Sequence, residues 1–205
     1  MTLLDYLKAK QLLDKYGIHS IESAYVKSAE EAARFSKGKP IVLKVLSGKA
    51  LHKSKAGLVR LNLYTEQQIA SAYKELYAKA QKLRPYNILA QHMSESGVEI
   101  IIGGRTDSQF GKVLLIGLGG IYVEVFRDFA LRIAPITRKE AGDMLDQMRS
   151  SNVITHGGKN AKQIEELLMK VSALLVKNPE ISELDLNPVI VTEKGYEVVD
   201  IRVLK

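Results

Sequence analysis

The chain has 205 residues, of which 46% are hydrophobic, and it carries a formal net charge of +7. This composition is that of a folded protein, with enough material for one large domain or two small lobes. Cysteine is absent, which excludes a disulfide framework, a cysteine-based metal site and a thiol nucleophile. The N-terminal segment is unlike a secretory signal, and no apolar run approaches the roughly 20 residues of a membrane span, so we expect a soluble, cytoplasmic protein.

The basic charge is spread along the predicted helices, with acidic residues between the lysines and arginines. Aromatic residues do not punctuate this charge as they do in a platform on which bases stack. The pattern therefore argues against a nucleic-acid-binding protein. It is compatible with a basic surface for nucleotides, coenzyme A or an acidic partner subunit.

Capping pairs and glycine or proline stops delimit the predicted helices, and β-branched runs between glycine turns delimit the strands. The helices cover residues 2–16, 28–38, 65–83, 137–149 and 161–177, and a polar loop covers 150–160. The strands cover residues 18–27, 41–45, 59–63, 87–93, 98–103, 112–116, 121–126, 129–134, 184–191 and 196–203. The second half is rich in antiparallel sheet, which predicts an α+β fold with approximate lobes at residues 1–86 and 87–205.

The first polar feature is Lys44, which stands inside an apolar, β-branched run that reads as a buried strand. A buried ammonium is costly unless the side chain reaches an edge or meets an anion. The loop that follows is basic and contains glycine, and a second strand comes after it. A polyphosphate would fit this pattern. The sequence has neither GxxxxGK[ST] nor GxGxxG at the start of a helix, so a P-loop and a dinucleotide-binding Rossmann unit are both excluded.

The second polar feature is the C-terminal hairpin. If Glu193 and Lys194 form its loop, the antiparallel ladder places Asn187 opposite Asp200, and Asp185 points to the same side as Asn187. Directly opposed side chains have Cβ atoms about 5 Å apart, close enough for an amide oxygen and a carboxylate to share one cation. Oxygen ligands are those that Mg²⁺ prefers, so the hairpin predicts a magnesium site.

The chain resembles the ATP-grasp β subunits of ADP-forming acetyl-CoA (acyl-CoA) synthetases, relatives of succinyl-CoA synthetase. The resemblance is carried by VLKVLSGKALHKSKAGLVRLNL, GVEIIIGGRTDSQFGKVLLIGLGGIYVEVFRDFALRIAPI, ELDLNPVIV and GYEVVDIRV, and it extends over almost the entire chain. It implies a single ATP-grasp domain over residues 1–205, with a nucleotide cleft between two lobes. It also implies an acid–thiol ligase, acetate–CoA ligase (ADP-forming), which converts acyl-CoA, ADP and phosphate into acid, CoA and ATP through a phosphohistidine.

The resemblance assigns roles to matching positions. The implied nucleotide contacts are Lys44 on the phosphates, the loop from Gly48 to Gly57 over them, the backbone of Gln91, His92 and Met93 on the adenine, and Glu99. The implied Mg²⁺ ligands are Asn187 and Asp200, in agreement with the hairpin argument. The implied catalytic residues are His52, as the phosphate carrier, and Asp185, as the carboxylate that orients a phosphohistidine. Gly119 and Gly120 match the turn against which a loop of the partner docks.

The implied partner is an α subunit that carries the CoA-binding domain, in an α2β2 heterotetramer. One departure from the family concerns the basic loop, which usually reads HKSDVGGV and here reads HKSKAGLV, with Lys55 in place of an aspartate. Two alternatives stay open at this point: a non-catalytic or regulatory ATP-grasp nucleotide-binding module, and another ATP-grasp carboxylate ligase. The acyl group and the choice between ATP and GTP also stay open.

Overall fold

The computed structural model describes residues 2–48, 57–120 and 128–205. The helices are α1 (Tyr6–Lys15), α2 (Ala29–Ser36), α3 (Glu66–Ala80), α4 (Arg138–Gln147), α5 (Ser151–Ile154) and α6 (Ala161–Lys177), and α3 continues into a 3₁₀ turn (Gln81–Leu83). The strands are β1 (Ser23–Tyr25), β2 (Ile41–Leu46), β3 (Val59–Leu63), β4 (Asn87–His92), β5 (Val98–Asp107), β6 (Gly111–Leu118), β7 (Phe129–Ile133), β8 (Glu183–Thr192), β9 (Gly195–Val198) and β10 (Ile201–Leu204). These elements fall into two compact units.

The smaller unit comprises residues 21–93. Its four-stranded sheet has the order β1-β4-β2-β3, and every pairing in it is antiparallel. Alternate residues of the strands join the apolar sides of α2 and α3 in one buried cluster, because successive side chains of a strand point to opposite faces. The cluster includes Ala32, Ile41, Leu43, Val45, Ile69, Leu76, Ile88 and Ala90.

The larger unit comprises residues 1–20 and 94–205. Its six-stranded antiparallel sheet has the order β10-β8-β5-β6-β7, with β9 paired to β8. The N-terminal segment joins this unit because the Thr2 amide donates to the Lys205 carbonyl at 2.7 Å and the Lys205 amide donates to the Thr2 carbonyl at 3.0 Å. Helices α4 and α6 contribute buried residues such as Met144, Leu168 and Leu175.

The two units differ from the predicted lobes 1–86 and 87–205. Strand β4 pairs along its whole length with β2, so it belongs to the smaller unit. Helix α1 follows the segment that pairs with the C-terminal residues, so it belongs to the larger one. Both differences arise from long-range strand pairing, which no local pattern reports.

Most predicted elements that fall on the described residues are present, but several bounds differ. Helix α1 begins at Tyr6, with Asp5 as its N-cap, rather than at Thr2, and the strand predicted at 18–27 is reduced to β1. The loop predicted at residues 150–160 contains the short helix α5. The last strand is interrupted between Val198 and Ile201, at the point where the Val199 amide donates to the Pro188 carbonyl at 3.0 Å. Proline has no N–H with which to complete the ladder there. The strand predicted at 121–126 lies outside the described residues.

Two glycines predict opposite effects of alanine. A Cβ atom at Gly97 would lie 2.3 Å from the backbone oxygen of Val191, whereas one at Gly142, inside α4, would meet Glu165 Oε1 at 3.7 Å, an ordinary contact. We expect Gly97→Ala to reduce the free energy of unfolding by about 1–3 kcal/mol through overpacking. Gly142→Ala should raise it by about 0.5–1 kcal/mol, because glycine is the less favourable residue in a helix. Urea unfolding of both variants checks this pair, and a stabilising effect of Gly97→Ala would contradict the close approach.

Candidate functional site

Lys44 is buried in the central strand β2 of the smaller unit, with only 7% of its surface exposed. Its neighbours across the strands are Val59 in β3 and Leu89 in β4. The residues on either side, Leu43 and Val45, belong to the cluster that the helices cover, so Lys44 projects from the opposite face of the sheet. An ammonium at such a position requires a polar or negatively charged companion, and it supplies a positive charge at a place with little water.

The loop after β2 is fixed at both of its described ends. Before it, the Ser47 hydroxyl donates to the Leu83 carbonyl at 2.7 Å. After it, Gly57 has a positive φ of 64°, and its carbonyl accepts from Arg60 Nη1 at 3.1 Å and from Lys79 Nζ at 3.2 Å. Gly48 is exposed and has open space around its Cα atom. His52, the predicted phosphate carrier, lies outside the described residues.

The predicted adenine segment ends strand β4. The Gln91 side chain is fully buried, and its Nε2 donates to the Ser23 hydroxyl at 3.1 Å. The amide of His92 donates to the Glu22 carbonyl at 3.1 Å, and that of Met93 donates to the Pro40 carbonyl at 3.0 Å. Both amides therefore have partners within the smaller unit.

The imidazole of His92 is also held. Its Nε2 lies 3.2 Å from the Phe35 carbonyl, and its Nδ1 lies 3.5 Å from a carboxylate oxygen of Glu22. The ring packs on the Phe35 ring at a centroid distance of 4.8 Å. The His92 side chain thus connects the end of β4 to the last turn of α2, and its contacts stabilise the smaller unit.

Glu99 lies near the start of β5 in the larger unit, and its side chain is exposed. The amide of Gly119 donates to the Glu99 carbonyl at 2.7 Å. A Cβ atom at Gly119 would lie 2.8 Å from the carbonyl carbon of Glu99, so only glycine allows this approach. Gly120 has a φ of 72°, and a Cβ atom added to this glycine would lie 3.2 Å from Oε2 of Glu99. Glu99 and the Gly119–Gly120 turn are therefore packed directly on each other.

The C-terminal hairpin confirms the predicted register. Its pairs include Thr192 with Gly195 on one side and Leu186 with Ile201 on the other. Between them, the amide of Asn187 donates to the carbonyl of Asp200 at 3.2 Å, which places these two residues opposite each other. The loop is formed by Glu193 and Lys194, as predicted.

Asp185 and Asn187 lie on the same face of β8, because Leu184 and Leu186 between and beside them are buried on the other face. Asn187 is exposed, and Asp185 and Asp200 are half-buried. Across the sheet, Asp185 is opposite Gly103 of β5, which has no side chain to cover it. The hairpin therefore presents two carboxylates and one amide oxygen to the same side.

These residues form a donor set that fits Mg²⁺. The ion prefers oxygen ligands and is usually held by one or two carboxylates together with waters and substrate phosphates. Within residues 2–48, 57–120 and 128–205, no group of three or more histidine, aspartate or glutamate side chains could hold a metal by itself. The residue types on this part of the hairpin are thus those that could contribute ligands to Mg²⁺.

One cluster near the loop was not predicted from the sequence. Glu75 of α3 binds both Arg60 of β3 and Lys79, one turn further along α3. Glutamate and lysine four residues apart are a visible helix-surface signal, but the participation of Arg60 and Gly57 depends on how β3 packs on α3.

In the part of the chain that the structure describes, no helix is long and apolar enough to cross a membrane.

The chain is similar to known proteins over nearly its whole length. The chain matches the model of the ATP-grasp domain family over residues 1–204. It is 33% identical to the acetate–CoA ligase (ADP-forming) I subunit beta of Pyrococcus furiosus, and the match covers 96% of this chain and 89% of that relative. It is 39% identical to the acetate–CoA ligase (ADP-forming) I of Archaeoglobus fulgidus, where the match covers 94% of this chain but only 30% of the longer relative.

Solved structures are similar as well. The dinucleotide-forming acetyl-coenzyme A synthetase 1 of Candidatus Korarchaeum cryptofilum, in complex with coenzyme A, Ca-AMPCP and HgCl⁺, has a TM-score of 0.91 and 37% identity, with 98% of this chain and 93% of that chain covered. The same enzyme with coenzyme A and Mg-AMPPCP, its phosphohistidine segment pointing towards the nucleotide-binding site, has a TM-score of 0.84 and 36% identity, with 98% and 92% covered.

The match over nearly the whole chain confirms the predicted ATP-grasp fold and the predicted resemblance. The chain spans most of the Pyrococcus β subunit and about 30% of the longer Archaeoglobus ligase. This protein therefore belongs to the ATP-grasp family and, within it, to the group that contains the β subunits of ADP-forming acetate–CoA ligases.

Proposed function

We propose that this chain is the nucleotide-binding β subunit of an ADP-forming acyl-CoA synthetase. It transfers phosphate between a phosphohistidine and ADP or ATP during the conversion of acyl-CoA, ADP and phosphate into acid, CoA and ATP. The observation that carries the proposal is the burial of Lys44 in a central strand, directly before a basic loop bounded by Gly48 and Gly57. The family supports it, because relatives over the same length are named as β subunits of such ligases.

In this proposal Lys44 binds the nucleotide phosphates. A preorganised ammonium with little water around it stabilises the charge that builds up as a phosphoryl group moves. Asn187 and Asp200 would hold Mg²⁺, whose chemistry here is to neutralise the charge of the phosphate oxygens. Glu99 contacts the nucleotide, and the backbone of residues 91–93 meets the base. Mg-AMPPCP and Ca-AMPCP in the structures of the Korarchaeum enzyme support a nucleotide and a divalent cation as ligands.

His52 accepts the phosphoryl group. A ring nitrogen forms a bond to the γ-phosphorus of ATP, the bond from that phosphorus to the β–γ bridging oxygen breaks, and ADP leaves. The reverse step makes ATP. Neutral imidazole is a good nucleophile near neutral pH, and neighbouring lysines of the sequence, Lys53 and Lys55, add positive charge for the transferring phosphate. Asp185 orients a phosphohistidine near the nucleotide.

The partner is an α subunit that supplies the CoA-binding domain and a second phosphohistidine, in an α2β2 assembly in the cytoplasm. Two relatives are named as subunit beta, which supports a separate partner chain. The phosphohistidine segment described for the Korarchaeum enzyme supports a relay that reaches the nucleotide. The longer relatives, in which this chain matches about 30% of the length, indicate that the remaining parts can also be joined in one polypeptide.

The test is labelling with γ-³²P-ATP and Mg²⁺ in the presence of the coproduced α subunit, followed by separation of the two chains. We expect label on this chain that is stable in base and labile in acid, and we expect it to disappear completely in His52→Ala. His19→Ala is the matched control and should keep the label, since His19 pairs its carbonyl with the Val198 amide and has no loop lysines beside it. Bound nucleotide without label on either chain would favour the regulatory module instead.

A further inference from the structure

A three-residue clasp holds the C-terminal end of the basic loop. Arg60 donates two hydrogen bonds to the Glu75 carboxylate. Its Nε donates to Oε2 at 2.9 Å, and its Nη2 donates to Oε1. Lys79 Nζ lies 2.9 Å from the same Oε1. Both cations then donate to one acceptor, the Gly57 carbonyl, at 3.1 Å and 3.2 Å. Glu75, Arg60 and Lys79 together are called the clasp below.

The clasp acts on the residue that directly follows the basic loop in the sequence. Gly57 directly follows residues 49–56, which include His52, and it directly precedes Leu58 and strand β3. A Cβ atom at Gly57 would lie 3.1 Å from Lys79 Nζ, so the clasp closes on the glycine itself. The clasp therefore fixes the first described residue after the segment that contains His52.

The clasp depends on Glu75. Arg60 and Lys79 carry the same charge and approach one carbonyl, so the carboxylate between them offsets their repulsion. The hydrogen bond from Arg60, and to a smaller extent that from Lys79, lowers the pKa of Glu75 to about 2. A bidentate arginine–carboxylate pair also fixes geometry better than a single contact does. Loss of the negative charge should therefore release both cations from Gly57.

We propose that Glu75 is a positioning residue for phosphoryl transfer, because the clasp fixes Gly57, the residue that directly follows the segment containing His52 in the sequence. This inference rests on the proposed function. In this proposal Glu75 touches neither the substrate nor the reacting atoms. It acts through Arg60, Lys79 and Gly57, and its effect belongs to the transfer step rather than to nucleotide affinity.

The larger unit contains a matched control. Glu166 and Lys170 of α6 form a pair with the same spacing, at 2.7 Å, and Lys170 Nζ donates at 3.0 Å to the carbonyl of Gly17. Gly17 has the same φ of 64° as Gly57. Glu166→Gln thus removes a very similar carboxylate from a lysine that holds a left-handed glycine, but at a place remote in sequence from His52.

The experiment compares Glu75→Gln, Glu75→Asp and Glu166→Gln with the wild-type chain in complex with its α subunit. We expect Glu75→Gln to slow single-turnover transfer at saturating ATP about 10- to 100-fold, the range that follows from displacing a reacting group by about 1 Å. Its dissociation constant for ADP should change by less than about twofold, because no nucleotide contact is lost. Glu75→Asp, which keeps the charge, should recover part of the rate, and Glu166→Gln should retain the wild-type rate.

Hydrogen–deuterium exchange of the peptide that covers residues 57–63 provides a second measurement. Exchange should accelerate in Glu75→Gln and stay unchanged in Glu166→Gln. Faster exchange with a wild-type transfer rate would overturn the proposal, since the clasp would then be a purely structural tie. Equal slowing in Glu75→Gln and Glu166→Gln would overturn it as well. A wild-type complex that binds nucleotide but transfers no phosphate would instead refute the proposed function, and with it any role in transfer.

Discussion

Lys44→Met should slow phosphoryl transfer about 10²–10³-fold, the usual effect of removing one preorganised group that stabilises transition-state charge. The buried position of Lys44 gives this charge its strength, because little water screens it. Methionine is unbranched and of similar length, so it fills the same space without the ammonium. The measurement is the single-turnover rate at saturating ATP, together with a melting curve that shows the variant to be folded.

Lys112→Met is the control for this prediction. Lys112 Nζ is also drawn into the protein, where it donates to the Thr106 hydroxyl at 2.8 Å and to the carbonyls of Pro179, at 3.1 Å, and Ile181. Burial lowers the pKa of this lysine. Its partners are all parts of the larger unit, so its loss should lower the melting temperature and leave transfer unchanged. Equal slowing in both variants would mean that Lys44 acts only through stability.

Asp200→Asn should weaken the apparent affinity for Mg²⁺ at least about tenfold, because even residues that only orient metal ligands cost this much when they are changed. The variant keeps the size of the side chain and removes its charge. The backbone of Asp200, which accepts from the Asn187 amide, is unaffected, so the hairpin register should persist. Transfer rates measured over a range of Mg²⁺ concentrations give the affinity directly.

Asp107→Asn serves as the comparison. Asp107 is the last residue of β5, and its carboxylate accepts from the amides of Gln109, at 2.8 Å, and Phe110, at 3.1 Å, in the turn that leads to β6. These hydrogen bonds lower the pKa of Asp107, and its carboxylate stabilises the turn. Its variant should show the wild-type dependence on Mg²⁺. A wild-type dependence in Asp200→Asn as well would remove Asp200 from the metal site.

The sequence predicted the parts of the candidate site that local rules determine. A two-residue hairpin loop fixes which residues oppose each other, so Asn187 and Asp200 could be paired before any coordinates were known. The apolar run around Lys44 indicated a buried strand, and Lys44 is buried. In both places a short stretch of chain contains the full information.

The remaining features depend on residues that are distant in the chain. The clasp joins β3 to α3 across 15 residues, and no pattern near Arg60 indicates Glu75 as its partner. The smaller unit begins at residue 21 because β1 pairs with β4, more than 60 residues later. The interruption after β9 depends on Pro188 in the facing strand. Tertiary packing decides such features, and it often overrides local propensity.

The engaged amides at the end of β4 limit how this segment can bind a ligand. The N–H groups of His92 and Met93 already donate to the carbonyls of Glu22 and Pro40. If these residues meet the adenine, as we propose, neither amide can donate to the base without giving up its partner in the smaller unit. Recognition of the base at this point must therefore use groups other than these two amides.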